Sequence, residues 1–280
     1  MSWRISIRHR TGFRYAEPVR ASYNEARLTP PSVDGQHTLQ AAVTITPAIR
    51  PTRYVDYWGT AVDAFDIHVP HTELVVLATS MVETAAQRPL PTGADWPELA
   101  NPAVMDRFAE LLAASAYVPA EPELTEVARS LRVGSTPMQT GLRAAEWTHE
   151  ALQYERGATH VRTSSAESRA AGKGVCQDFA HVTLALLRAA GLPARYVSGY
   201  LHPVANAEVG ETTAGESHAW VEFWAGDWVA VDPTSLADVG SQHVLLARGR
   251  DYADVRPISG IYSGPAAEHF DVAVEVTRLG

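Results

Sequence analysis

A chain of 280 residues, 46% hydrophobic and 20% charged, has the composition of a folded globular protein with ample material for a buried core. Its net charge of −9 argues against nucleic acid or an anionic membrane surface as the main partner. One cysteine rules out internal disulfides, no apolar run approaches the roughly 18 residues of a membrane span, and Met1 to Arg8 lacks the apolar stretch of a signal peptide, so the expected compartment is the cytoplasm. The chain then opens with strands. Trp3, Ile5 and Ile7 alternate with Arg4, Ser6 and Arg8, the period of a sheet with one wet face. The pattern recurs at Leu39 to Ile45 and Phe65 to Val69, and a fourth strand is expected from Leu74 to Val82. Short strands punctuated by Pro, Gly and Asp predict an all-β, sandwich-like domain over residues 1–85.

Gln87 to Gly93 has the proline and glycine content of a linker, and the periodicity changes after it. Helices are expected over Pro102–Ala114, Glu123–Leu131 and Gln139–Gln153, and Ser164-Ser165-Ala166-Glu167 offers a capping box for a short one. A strongly apolar helix runs from Cys176 to a stop at Gly191 before Pro193. Strands return at Ala194–Leu201, His218–Trp224, Trp228–Asp232 and Val272–Val276. Helices followed by antiparallel strands make residues 86–280 an α+β unit.

Cys176 starts its helix, where the positive end of the backbone dipole favours a thiolate, the nucleophilic form. Without a partner such a cysteine is an inert small hydrophobe. The partners follow in the order His218, then Asp232, on two runs that form a hairpin. A two-residue turn over Ala225-Gly226 would send His218 and Asp232 to opposite faces. A three-residue turn, Trp224-Ala225-Gly226, pairs Phe223 with Asp227 and sets His218 across from Asp232, with β-carbons roughly 5 Å apart. In that register Cys176 is the nucleophile, His218 the general base and acid, and Asp232 the group that orients it. The Cys176 N–H is an oxyanion donor, with Trp147 and Gln153 considered as the source of a second. His181 lies about 140° around the helix from Cys176 and is the weaker base. Asp178 suits the first helical turn on electrostatic grounds alone. Gln177, Asp178, Tyr200 and Trp220 are the further candidates for lining a substrate cleft. No His-Glu-x-x-His or calcium-loop pattern occurs, and neither metal nor cofactor is expected.

Four blocks carry a resemblance: Gly174-Val175-Cys176-Gln177-Asp178-Phe179-Ala180-His181, Leu187 through Tyr200, His218-Ala219-Trp220-Val221-Glu222, and Trp228 through Asp232-Pro233-Thr234. At these residues the chain resembles the bacterial transglutaminase-like family of the papain-like cysteine-enzyme superfamily. Tyr15 to Val19, Leu28 to Pro31 and Asp56 to Gly59 resemble the β-rich domain that precedes this core in bacteria, with Gly59-Thr60 where that domain has Gly-Asn. The resemblance implies a papain-like core with the cysteine helix packed on an antiparallel sheet, and Cys176, His218 and Asp232 as its triad. It also implies a peptide or protein substrate whose amide is attacked to give a thioester. Hydrolysis by a cysteine peptidase or amidase is the favoured outcome. Transamidation of glutamine with an amine acceptor is the alternative, and a non-catalytic binding module retaining the fold is a third reading.

Overall fold

The alternation that opens the chain becomes a 17-residue strand, β1 (Trp3–Val19), whose Trp3, Ile5 and Ile7 are buried while Arg4 and Arg8 face solvent. The computed structural model describes residues 2–33, 35–86, 89–215 and 217–280. Gln87 and Arg88 of the expected linker lie outside the described residues. After β1 come β2 (Ala21–Ala26), β3 (Gln36–Thr46), β4 (Thr52–Val55), β5 (Ala61–Ile67) and β6 (His71–Thr84). The helical stretch holds α1 (Trp96–Leu99), α2 (Pro102–Arg107), α3 (Ala109–Leu112), α4 (Pro122–Arg132) and α5 (Pro137–Ala151). A two-residue strand, β7 (Gln153–Tyr154), precedes α6 (Ser165–Ala171), β8 (Lys173–Gly174) and the cysteine helix α7 (Cys176–Ala189). The rest is strand: β9 (Ala194–Leu201), β10 (Thr212–Gly215), β11 (Ser217–Trp224), β12 (Trp228–Val231), β13 (His243–Gly249), β14 (Ile258–Ser263) and β15 (Ala267–Arg278).

A five-stranded antiparallel sheet in the order β10-β15-β1-β6-β3 faces a four-stranded sheet, β14-β2-β5-β4. Tyr15, Val19, Phe65, Ile67, Leu74 and Val76 fill the space between them, which makes the expected sandwich. Strands from both ends of the chain build it: β15 pairs with β1 from Ile5↔Arg278 to Phe13↔Phe270, and β14 pairs with β2. A third sheet, β12-β11-β9-β13, carries the inward residues Ala219, Val221 and Phe223 onto α7. The core thus has the α+β architecture expected of it, a cysteine helix against an antiparallel sheet.

α7 is apolar on every side because every side is covered, and all residues from Gln177 to Arg188 are buried. Its end is a Schellman motif, with Gly191 N–H bonding Arg188 C=O, Leu192 N–H bonding Leu187 C=O, and Gly191 at φ 81°. The Ser164/Glu167 capping box on α6 forms as expected. Two sequence expectations are corrected. The helix expected over Pro102–Ala114 is broken at Phe108, where the backbone leaves helical geometry and the ring packs against Trp224 and Trp228. Tertiary contact overrides a continuous 3.6-residue pattern there. The β11–β12 hairpin turns over Ala225-Gly226-Asp227, pairing Trp224 with Trp228 and Phe223 with Val229 instead of Asp227. Gly226, at φ 95°, is central in the turn. The register differs by two residues from the expected one, so every side chain keeps its face.

Candidate active site

The site begins with the loop that delivers α7. Val175, extended at φ −112°, is the N-cap, and its N–H is held by the Asp178 carboxylate at 2.8 Å. Valine has no side-chain acceptor, so only the returning half of a capping box exists here. The same Asp178 oxygen accepts from Thr159 Oγ1 at 2.6 Å. Burial pushes the Asp178 carboxyl above its ordinary value, opposed by these hydrogen bonds. Cys176 is then the first residue of the helix, its backbone N–H a first-turn donor that the helix itself does not satisfy.

The thiol of Cys176, partly exposed, lies 3.9 Å from the Ser217 carbonyl at the start of β11. The next residue is His218. Its Nε2 is 2.9 Å from Asp232 Oδ2, and the Cys176 thiol is near enough to add to the basicity of the ring. Because Asp232 occupies Nε2, the nitrogen turned to the sulfur is Nδ1. Burial alone would depress the His218 basicity, but hydrogen bonds and charge from Asp232 and Cys176 outweigh it and raise the imidazolium to about 10. Asp232 is fully buried yet supplied with donors: Thr234 N–H to Oδ1 at 2.9 Å and Ser235 Oγ to Oδ2 at 2.7 Å. Burial favours its protonated form, but His218, His243 and Ser235 together hold the carboxyl well below its usual range. The hairpin explains the meeting. One step beyond the last ladder pair, Val221↔Val231, Asp232 falls opposite Trp220, and His218 is its diagonal neighbour on the same face.

A cavity of about 350 Å³ opens beside Cys176, Gln177 and His218. Of the four further cleft candidates, only Gln177 lines it. Asp178 is turned into the loop as a cap. Tyr200 is buried behind the cavity with its hydroxyl on His9 Nδ1 at 2.8 Å. Trp220 lies stacked over the His218 ring, centroids 6.1 Å apart, and shields it from the far side. His181 is buried; its Nε2 accepts the Tyr252 N–H at 3.2 Å, and burial and then Arg188 push it down to about 3, so it stays neutral.

Seven residues have no counterpart in the sequence reading of the site. Tyr252 lines the cavity, and so do His9, Thr11 and Phe13 of β1 with Phe270 and Val272 of β15. His243 stands on the other side of Asp232, Nε2 to Oδ2 3.8 Å, and its Nδ1 accepts the Gly240 N–H at 3.3 Å. Among the described residues, His218, Asp232 and His243 are the group with ligand atoms close enough to hold a metal, within 4.8 Å of one another. The atoms a metal would need from His218 and Asp232 are those already joined in the hydrogen bond. Chemically the arrangement provides a thiol, a strongly basic imidazole against it, a buried carboxylate fixing that imidazole, and helix-start N–H groups facing the same space. That set suits nucleophilic attack on an acyl carbon.

Comparison with known proteins gives this geometry a family context. Residues 125–233 match the profile of the transglutaminase-like superfamily, and residues 5–83 match the bacterial transglutaminase-like N-terminal region. An uncharacterized protein of Mycobacterium leprae is 46% identical over 277 residues, 99% of either chain. A crystal structure from Cytophaga hutchinsonii, named "Putative Cysteine Protease", superposes with a TM-score of 0.79 at 21% identity, covering 100% of this chain and 92% of the other. A protein-glutamine gamma-glutamyltransferase of Pseudomonas aeruginosa is 42% identical over 67 residues, 22% of this chain and 10% of that protein.

Proposed function

Because the chain belongs to the transglutaminase-like superfamily, with the bacterial transglutaminase-like N-terminal region ahead of its core, we propose that it is a thiol enzyme that cleaves amide bonds. Cys176 is the nucleophile, His218 the base and acid, and Asp232 the orienting carboxylate. The observation that carries this reading is the His218 ring, tied to the buried Asp232 at 2.9 Å and lining the same open cavity as the Cys176 thiol. His218 takes the thiol proton, and the thiolate attacks the amide carbon. The oxyanion that forms meets the Cys176 N–H at the helix start. Collapse breaks the C–N bond, His218 Nδ1 delivers its proton to the departing amine, and a thioester remains on Cys176. Water, deprotonated by the same imidazole, then releases the acid and restores the thiol. Asp232 compensates the imidazolium at each stage and keeps the ring turned to the sulfur.

Hydrolysis is favoured because the Cys176 side chain is partly exposed, so a thioester formed on it is open to water. The short stretch shared with the Pseudomonas glutamyltransferase supports a second reading, in which an amine takes the place of water. Alkylation by iodoacetamide tests the first claim: Cys176 should react much faster than a model thiol at neutral pH, and His218→Ala should remove the advantage. A wild-type rate no faster than the model thiol overturns the proposal. A γ-glutaminyl peptide incubated with and without a primary amine then separates the outcomes, since free acid with no amine adduct at high amine concentration rejects transamidation.

A further inference from the structure

One face of β1 does three jobs along its length. Trp3, Ile5 and Ile7 are buried with Leu184, Leu186 and Tyr200 in the core of the cysteine helix, together with Val274 and Val276 of β15. Tyr15, on the same face, belongs to the core of the sandwich, and Phe13 packs against it. Between these two cores β1 stays buried at His9 and Thr11, and the face opens on the neighbouring strand β15. There Thr11 pairs across the ladder with Val272, Phe13 pairs with Phe270, and all four line the cavity that holds Cys176. The Phe13 and Phe270 rings lie 5.0 Å apart, and Ile258 and Pro257 continue the apolar wall. Phe270 and Val272 are 57% and 45% exposed, although the next inward partner on β15, Val274, is 2% exposed. Large apolar side chains left open beside a nucleophile, where the same sheet face is otherwise covered, mark a surface that a ligand covers.

We propose that this wall is the specificity subsite: the β-rich region selects substrates that carry a large apolar or aromatic side chain within one residue of the scissile carbonyl. The inference rests on the amide-cleaving reading of Cys176. A cavity of about 350 Å³ sits at the small end of ligand pockets, so it admits one residue-sized group and its neighbouring backbone rather than a folded loop. Such a side chain stacks on the Phe13–Phe270 pair while the carbonyl it flanks meets the thiol. Thr11 Oγ1 is hydrogen-bonded to His9 Nε2 at 3.1 Å, and burial keeps His9 neutral with its pKa down to about 4. This stretch of the wall therefore presents no charge to the substrate.

The test uses two series of p-nitrophenyl esters, N-acetyl-X-glycine and N-acetyl-glycyl-X, with X as Phe, Leu, Ala, Glu or Lys. Displacement of p-nitrophenolate by the thiolate reports acylation whatever later attacks the thioester, and Cys176→Ala supplies the background. Phe and Leu should exceed Ala in kcat/KM by roughly ten- to a hundredfold in at least one series, the range expected for burying one large apolar side chain. Phe270→Ser and Val272→Thr, whose side chains are half exposed and outside both cores, should shrink that ratio to a few fold. Equal rates for Phe, Ala and Glu in both series, with iodoacetamide still reacting fast at Cys176, overturn the subsite and leave the enzyme reading intact. Slow iodoacetamide alkylation together with no acylation overturns both. A Phe preference that survives in both variants assigns the selection elsewhere and also overturns the proposal.

Discussion

Asp232→Asn removes one charge and keeps nearly the same shape, so it isolates what the carboxylate does for the thiol. Cys176 and His218 share one proton, and their relative proton affinities decide whether the pair is thiol–imidazole or thiolate–imidazolium. His218 rises from 6.5 to about 10 in its folded setting, with Asp232 and the Cys176 thiol both pulling against burial. A hydrogen bond to a charged group is worth about 1.5–3 kcal/mol, so losing the charge at this buried 2.9 Å contact should cost about 2 kcal/mol. The thiolate–imidazolium form should then lose on the order of 30-fold in population, because the Asn amide oxygen still accepts a hydrogen bond but offers no charge. Iodoacetamide alkylation followed by intact mass should fall by about that factor between pH 6 and 7. The gap should close as pH rises, since base in solution then ionises the thiol directly. Urea titration must show the mutant folded, because an unfolded chain would also expose a thiol that reacts faster as pH rises. Rates within threefold of the parent across pH 6 to 8 would refute the idea that Asp232 sets the proton position.

The remaining predictions concern the frame that holds the hairpin. Glu222 is buried between Arg195, Nε to Oε2 2.6 Å, and Arg248, 2.8 and 2.9 Å; burial alone would raise its carboxyl, but the two guanidiniums hold it below its usual value. Glu222→Ala leaves two cations facing each other and should cost about 3–5 kcal/mol, lowering Tm by about 10 °C in calorimetry. The parent's contribution from this group is present above the usual carboxylate range and is lost as pH falls through its depressed value, so the gap between the two proteins should narrow in acid; a loss under 1 kcal/mol at neutral pH would contradict the pairing. Gly141 lets α5 approach β11, because a β-carbon there would lie 2.3 Å from the Phe223 ring. Gly141→Ala should therefore cost about 2–3 kcal/mol in urea titration, and adding Phe223→Leu should return part of it; additive losses would show that the two do not touch.

Much of the site is local chemistry, and that part could be read from residue order. A cysteine at a helix start and a histidine and aspartate on one hairpin face need only parity, and parity survived a turn placed one residue from its actual position, which shifts the register by two. The cleft is a different matter. Its wall needs Phe13 beside Phe270, two residues more than 250 positions apart, and no alternation pattern says which strand another will pair with. The pattern on β1 also fades at His9 and Thr11, where the inward face turns polar although both residues are buried. Tyr200 and Trp220 looked like cleft aromatics and are instead packing behind His9 and over His218. Phe108 broke a helix that its own periodicity favoured, because two tryptophans far along the chain were the better partners.

The pairing of β1 with β15 has a bearing on when the protein can act. During synthesis β1 emerges before the other described strands and helices and β15 after them, so β1 waits with one edge unpaired while the cysteine helix, the hairpin and Asp232 emerge and can fold. A nascent chain can thus hold a complete thiol–imidazole–carboxylate set without the wall contributed by Phe270 and Val272. On the proposed reading, selectivity arrives later than reactivity, because the strand order makes the Phe270–Val272 wall the last part of the sheet to close.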